Sequence, residues 1–420
     1  MTSLRGPQDL RRRSAGAQPP AAYRGLAPVR PSGLGSAPGG SRRGRAGLLR
    51  RAFGRRSLLR RLDWILLLAT LALSLIGTLL IWAATEPAHT YLLKQLLNIA
   101  IGLVLMGFVS MLDYRQLRLY APIVYGASCL GLLVVLTPLG SVVNGARSWI
   151  SLPAGFQIEP SEYAKLSLIV IAAMILGELR PGETRPGARA IALTIAAAAL
   201  PLILVVAEPD LGVVMLLLAL LVGLIALSGI RLRWFIAMLA AGVAGITAVM
   251  QLHLLKSYQT SRITSFLHPS ADPRGTGYSA AQSKIAIGSG GMTGQGLFHG
   301  QLIAGNFIPE QHTDFIFAVS GEELGFAGTI VILVLLAIVL VRALRIAAKA
   351  DDQFGMLVAS GIAIWFAAQS FINIGMTMGI MPVTGLPLPF VSYGGSAMFA
   401  DMIAIGALQA VYRHRTVFSS

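Results

Sequence analysis

Between Phe307 and Gly325 the sequence reads FIPEQHTDFIFAVSGEELG, which sets Glu310, His312, Asp314, Glu322 and Glu323 against a long apolar run in a chain only 12% charged. Acids beside a membrane-spanning segment are expensive to keep, so by default they mark a functional site whose partners must be found. The plainer alternative is a set of solvated carboxylates at a helix start, where the dipole favours negative charge. That alternative fits Glu322 and Glu323 as well as a functional role does. It fits Asp314 less well, because Phe315, Ile316, Phe317, Ala318 and Val319 follow it at once and lower the local dielectric. Desolvation of this kind raises a carboxyl pKa towards neutrality, which is what a general base requires.

A second charged pair lies in Pro160-Ser161-Glu162-Tyr163-Ala164-Lys165. Ser161 suits an N-cap and Glu162 suits a first turn, but a cation there is unfavourable unless paired, and Glu162 stands three residues before Lys165 on the same helical face. Two readings are open: a structural ion pair, or a Lys165 that faces a cavity and meets an anionic group. Glu208-Pro209-Asp210 separates two apolar runs and reads as the turn of a helical hairpin. The segment Ile287–Gly296 is glycine-rich like a phosphate loop, yet it follows no strand and opens no βαβ unit, so no nucleotide fingerprint is expected. Its amides could still approach a phosphate, with Arg262, Arg274 and Lys284 either supplying positive charge or, as the plainer alternative, standing on solvated faces. His299, His312, Glu310 and Asp314 match no structural zinc spacing and no HExxH, so no dedicated protein metal site is expected.

The elements that must position these residues are membrane helices. A mean hydropathy of +0.70 and 55% hydrophobic residues over 420 positions identify an all-α polytopic membrane protein. Apolar runs near 64–84, 93–112, 120–137, 161–177, 189–207, 210–228, 234–252, 324–343, 355–373 and 396–412 predict about ten transmembrane helices, with a large extracytoplasmic loop at 253–323 between helices 7 and 8. Residues 1–60 are rich in Arg, Gly, Pro and Ser without apolar periodicity, as in a disordered basic cytoplasmic tail attracted to anionic headgroups. The net charge of +16 is concentrated there and in alternate loops, so it marks orientation rather than a nucleic-acid surface. Both termini, including the end at 416–420, are expected in the cytoplasm. The lone Cys129 excludes disulfides and thiolate metal sites. Arg147 in the 138–160 loop and Ser392 in the Pro- and Gly-broken 381–396 segment complete the irregular external sequence, and irregular backbone at membrane depth must be protein-buried or line a cavity.

Taken together, FIPEQHTDFIFAVSGEELG, PSEYAK, GYSAAQSKIAIGSGG and GIMPVTGLPLPFVSYGGS resemble the SEDS family of bacterial cell-wall polymerases (shape, elongation, division and sporulation), over about residues 62–415. The forms FIPEQHTDFIF and GSGG are more like the elongation member than the division member. The resemblance implies a ten-helix glycosyltransferase domain at 61–415 that polymerises lipid II, the undecaprenyl-pyrophosphate-linked disaccharide-pentapeptide, on the outer face of the cytoplasmic membrane. It also implies a class B penicillin-binding protein as the cross-linking partner. By motif, Asp314 falls on the family's essential aspartate, and Glu162 and Lys165 fall on its cavity pair. Arg147, Arg262, Lys284, His312 and Ser392 are the further candidates for binding substrate. A carboxylate here could share a divalent cation, magnesium or manganese, with the substrate pyrophosphate. The rival class is a transporter, a lipid II flippase, which would place its charges near the midplane with access from both sides. Here the acids and long loops gather at one face.

Overall fold

The computed structural model describes residues 62–415, except for 87–88, 144–145, 152–156, 179–184 and 252–274, where only Arg262, Thr264 and Phe266 are described. The expected tail at 1–60, Arg274 and the end at 416–420 lie outside the described residues. A helix covers each of the expected apolar runs: α1 Trp64–Ala84, α2 His89–Met111, α3 Tyr114–Leu136, α4 Pro160–Gly177, α5 Ala188–Ala207, α6 Leu211–Leu227, α7 Leu232–Gln251, α10 Ile316–Ala348, α11 Gln353–Thr377 and α12 Gly395–Arg415. Between α7 and α10 stand α8 Thr276–Ser289 and the single turn α9 Gln301–Ala304. Short helices of this kind are expected in a loop too long to be structureless. Among the described residues, eight helices are long and apolar enough to cross a membrane; α6 is apolar but shorter, and α7 is not among the eight.

Among the described residues, four helices open on an aspartate that takes up one of their own orphan amides. Asp63 accepts from Leu66 at 3.1 Å, Asp113 from Arg115 at 3.0 Å, Asp210 from Val213 at 3.0 Å and Asp352 from Gly355 at 2.9 Å. α4 departs from expectation. Its N-cap is Glu159, and Pro160 occupies the first turn, where its missing amide costs nothing. The Ser161 hydroxyl donates to the Glu159 carboxylate at 2.8 Å instead of capping the helix. The loop after α3 also departs from the all-helical reading. It forms a three-stranded antiparallel sheet of β1 Gly140–Val143, β2 Ala146–Ser151 and β3 Gln157–Ile158. Asn144-Gly145, the dipeptide that two-residue hairpins favour, stands between the first two strands in the sequence.

α4, α11 and α12 form the inner bundle, each 72% buried along its apolar stretch, against 22% for α2 and 28% for α3 and α10. Lipid tails are as apolar as leucine, so close packing rather than hydrophobic transfer must hold such helices together. Gly361 of α11 shows how. A Cβ there would stand 2.7 Å from Ile169 Cγ2 of α4, so any larger residue would have to push the two helices or their side chains apart.

α10 begins earlier than the expected span at 324–343. At the usual helical rise it would measure about 50 Å if straight, well over a hydrocarbon core of about 30 Å. Gly325, at φ 66°, breaks it. Backbone groups freed at a break must find other partners, and here the glycine-rich turn supplies them. Gln295 and Gly296 donate to the Glu322 and Glu323 carbonyls at 2.9 and 3.0 Å, and Phe326 and Ala327 donate to Gly291 and Met292 at 2.9 and 3.0 Å. The Gln295 and Gly296 amides are therefore committed to α10, which removes the phosphate-approach reading for them.

Candidate active site around Asp314

Asp314 sits in a tight turn two residues before α10. The Glu310 carbonyl accepts from the Thr313, Asp314 and Phe315 amides at 3.2, 3.1 and 3.3 Å. Outside partners hold three successive carbonyls of this turn. Tyr393 N–H donates to His312 at 3.0 Å, the Ser392 hydroxyl to Thr313 at 2.6 Å, and the Asn373 amide of α11 to Asp314 at 2.8 Å. A peptide gripped at three consecutive positions presents its side chain in a fixed direction, the preorganisation a catalytic carboxylate needs. The His312 ring packs against Tyr91 and Tyr393 at centroid distances of 4.8 and 5.6 Å, closing one flank.

The 381–396 segment wraps this turn. Asn373 also donates to the Leu386 carbonyl at 2.7 Å, and Ser392 accepts from Leu388 N–H at 2.8 Å. Gly385, at φ 82°, lies against the carboxylate, where a Cβ would come 3.4 Å from Asp314 Oδ2. Arg262 donates to the neighbouring Thr384 carbonyl at 2.8 Å, which places a guanidinium beside the acid. Burial pushes the Asp314 carboxyl up to about 7, supported by the Glu310 and Asp210 charges and opposed by Arg262 and the Thr313 hydroxyl. Burial lowers the His312 pKa, with Glu310 acting the other way.

Glu162 and Lys165 face each other inside the protein. Lys165 Nζ lies 2.6 Å from Glu162 Oε2, with side-chain exposures of 0% and 2%. The ammonium also donates to Gln369 Oε1 at 3.0 Å and sits 4.9 Å from the Trp365 ring centroid, close enough for a cation–π attraction. It is an enclosed ion pair and is not presented to a solvent-open cavity, so of the two open readings these contacts support the structural one. Arg147 is exposed on β2 and Lys284 is exposed on α8, its Nζ 3.3 Å from the point a Gly379 Cβ would occupy. Neither forms an ion pair among the described residues. Arg262, His312 and Ser392 are thus gathered at Asp314, and Arg147 and Lys284 are not part of that cluster. Among the described residues no group of three or more His, Cys, Asp or Glu side chains is arranged to hold a metal.

The residues that sequence reading misses are Trp365, Gln369, Asn373 and Thr377. Their spacing of four puts them on one face of α11, a polar stripe in an apolar helix. Gln369 accepts from Trp365 Nε1 at 2.6 Å and from Lys165, and it donates to the Pro387 carbonyl at 2.8 Å. Asn373 holds Asp314 and Leu386, so this one face ties the buried pair to the Asp314 turn. The signal available in the sequence is three polar residues at i+4 steps after Trp365.

Residues 60–417 match the protein family described as cell cycle protein, whose model takes its name from FtsW, RodA and SpoVE. The chain belongs to the SEDS family. This SEDS protein is 37% identical over 359 residues to peptidoglycan glycosyltransferase MrdB of Escherichia coli K12, covering 85% of this chain and 95% of that one. It is 37% identical over 365 residues to stage V sporulation protein E of Bacillus subtilis, covering 84% and 97%. Its fold matches a chain of a peptidoglycan synthase complex that coordinates polymerisation and crosslinking, with TM-score 0.72, 31% identity and coverage of 84% and 98%. The crystal structure of the rod shape determining protein RodA of Thermus thermophilus matches with TM-score 0.63, 29% identity and coverage of 84% and 97%.

Ser392→Ala removes the hydroxyl that joins Thr313 to Leu388 and leaves both backbone groups without this partner. A buried unsatisfied group costs about 1–3 kcal/mol, so the variant is expected to unfold at lower temperature. Turnover should fall while substrate KM changes little, because the loss is in the aim of Asp314. Unchanged melting and unchanged turnover in the purified variant would show that the clamp does nothing.

Proposed function

We propose that this SEDS protein is a peptidoglycan glycosyltransferase of the elongation type, which polymerises lipid II at the outer face of the cytoplasmic membrane beside a class B penicillin-binding protein. The observation that carries the reading is the clamped Asp314 carboxylate with Arg262 beside it. Asp314 takes the proton of the acceptor sugar hydroxyl as that oxygen bonds to the donor's anomeric carbon. The bond from that carbon to the pyrophosphate oxygen breaks, and undecaprenyl pyrophosphate leaves with the electron pair. An α-linked donor and a β-linked product make this a single displacement with inversion, for which one base and a stabilised leaving group suffice. Arg262 supplies positive charge at the side where negative charge develops. Were a divalent ion to take part, the Glu310 or Asp314 carboxylate would hold it, and it would supply charge neutralisation to the leaving group.

Incubating purified protein with labelled lipid II, with and without the transpeptidase partner, tests the reading. A ladder of glycan polymer is expected; transbilayer movement of lipid II without polymer favours the flippase. The pH profile follows from the raised Asp314 pKa. Only the ionised carboxylate accepts a proton, so kcat/KM is expected to fall about tenfold per pH unit below about 7 and to level off above it. A flat profile between about pH 5 and 8 removes Asp314 as the titrating base.

The orientation is testable through the exposed positions Met292, 69% exposed in the α8–α9 connection, and Arg231, exposed just before α7. A Met292→Cys protein is expected to react with an impermeant thiol reagent in intact cells and an Arg231→Cys protein only after lysis. The native Cys129 is buried and contributes little background. The opposite pattern reverses the topology and moves the chemistry to the inner face.

A further inference from the structure

At the end of α10 remote from Asp314, Arg342, Arg345, Ile346 and Lys349 line a cavity of about 240 Å³ together with Tyr412 of α12. From Phe326, just past the break, to Arg345 the helix rises about 28 Å, so the cavity opens at the membrane face opposite the Asp314 turn. Its cations are not equivalent. Arg342 is spent on Asp63, with Nε at 2.8 Å and Nη2 on the same carboxylate oxygen, and Gln409 of α12 fixes the Asp63 backbone from both sides at 2.8 and 3.0 Å. Arg345 and Lys349 are exposed and have no ion pair among the described residues. Among the described residues the cavity therefore carries two cations without an ion-pair partner, on a wall that helix packing makes rigid. Ile330, Val334 and Val341 are exposed on α10. They precede Arg345 at steps of four, seven and four along one helical face, and form an apolar track leading from the membrane interior to the cavity mouth.

We infer that this cavity binds the headgroup of an anionic phospholipid carrying two phosphates, whose acyl chains lie along the Ile330–Val341 track. Charge complementarity selects the occupant: a basic pocket between helix ends at a membrane surface suits phosphate headgroups. The chain's own segment 1–60 carries many arginines and a single acid, Asp9, so it is repelled. Phosphoesters accept from the Arg345 guanidinium bidentately and from Lys349 as a point charge.

The test is native mass spectrometry of the delipidated full chain in neutral detergent, titrated with tetraoleoyl cardiolipin, with dioleoyl phosphatidylcholine and with inorganic phosphate. One tightly held cardiolipin is expected, in preference to phosphatidylcholine. The Arg345→Gln/Lys349→Gln double variant should lose about 30-fold in cardiolipin affinity, the effect of two membrane-surface cations, while elution as a single species and unchanged polymer synthesis show that it is folded. Arg231→Gln/Arg233→Gln, a control that removes two other exposed arginines, should keep the site. Equal cardiolipin retention in the Arg345/Lys349 double variant and wild type overturns the assignment. So does saturable retention of inorganic phosphate without any lipid preference, which makes the cavity a soluble-phosphate site.

Discussion

Asp314→Asn is expected to reduce polymerisation of lipid II by about 10²–10⁴-fold, equivalent to roughly 3–5 kcal/mol of activation barrier, because general-base catalysis contributes on that scale. The replacement keeps the shape of the side chain and removes only its ability to take a proton. The three carbonyl contacts from Tyr393, Ser392 and Asn373 engage the backbone of the turn, so they survive the change. Expression, melting temperature and partner binding should therefore stay close to wild type. The carboxyl is pushed up to about 7 in the fold, so its ionised form costs stability above the unfolded pKa. Asn is accordingly expected to be neutral or slightly stabilising at about pH 8. A variant that polymerises at near the wild-type rate would defeat the assignment and direct attention to Glu310 or Glu323. A variant that fails to fold would mean that the carboxylate holds structure instead.

Glu162 and Lys165 give the second large effect, on stability. Glu162→Gln removes the carboxylate in direct contact with the buried Lys165 ammonium and leaves it Gln369 and the Trp365 face, with Glu159, Asp210 and Asp401 acting on it only at longer range. Lys165→Met leaves a buried carboxylate with no cation at 2.6 Å. Breaking a buried pair at one end costs about 3–5 kcal/mol, whereas removing both charges is often nearly neutral. The double variant Glu162→Gln/Lys165→Met is therefore expected to unfold at a higher temperature than either single variant, and polymer synthesis is expected to follow the same order. Thermal unfolding of the four proteins in one detergent reads the coupling directly. Additive losses, with the double variant the least stable of the four, contradict an enclosed structural pair and return Lys165 to a role on the substrate.

Much of this molecule follows from one-dimensional pattern. A membrane helix declares itself because about 20 consecutive apolar residues have no alternative that satisfies the backbone in lipid. Helices accordingly stand where the apolar runs place them. Asp314 is legible for a related reason: a carboxylate directly before Phe315, Ile316 and Phe317 is too costly to be incidental. What the sequence leaves open depends on contacts between distant segments. Lys165 could face a cavity or a partner, and the choice is made by Gln369 and Trp365, far along the chain, which close over it. The Gln295 and Gly296 amides of the glycine-rich segment could meet a phosphate, but the break at Gly325 leaves carbonyls that these two amides fill instead. The small sheet gives no signal of its own because its strands are short and flanked by membrane helices, so no period-2 pattern runs long enough to stand out. The grip on Asp314 comes from Ser392, Tyr393 and Asn373, all remote from it in sequence. Local propensity and hydropathy set each helix on its own, whereas the aim of one carboxylate is set only where separate stretches of chain meet.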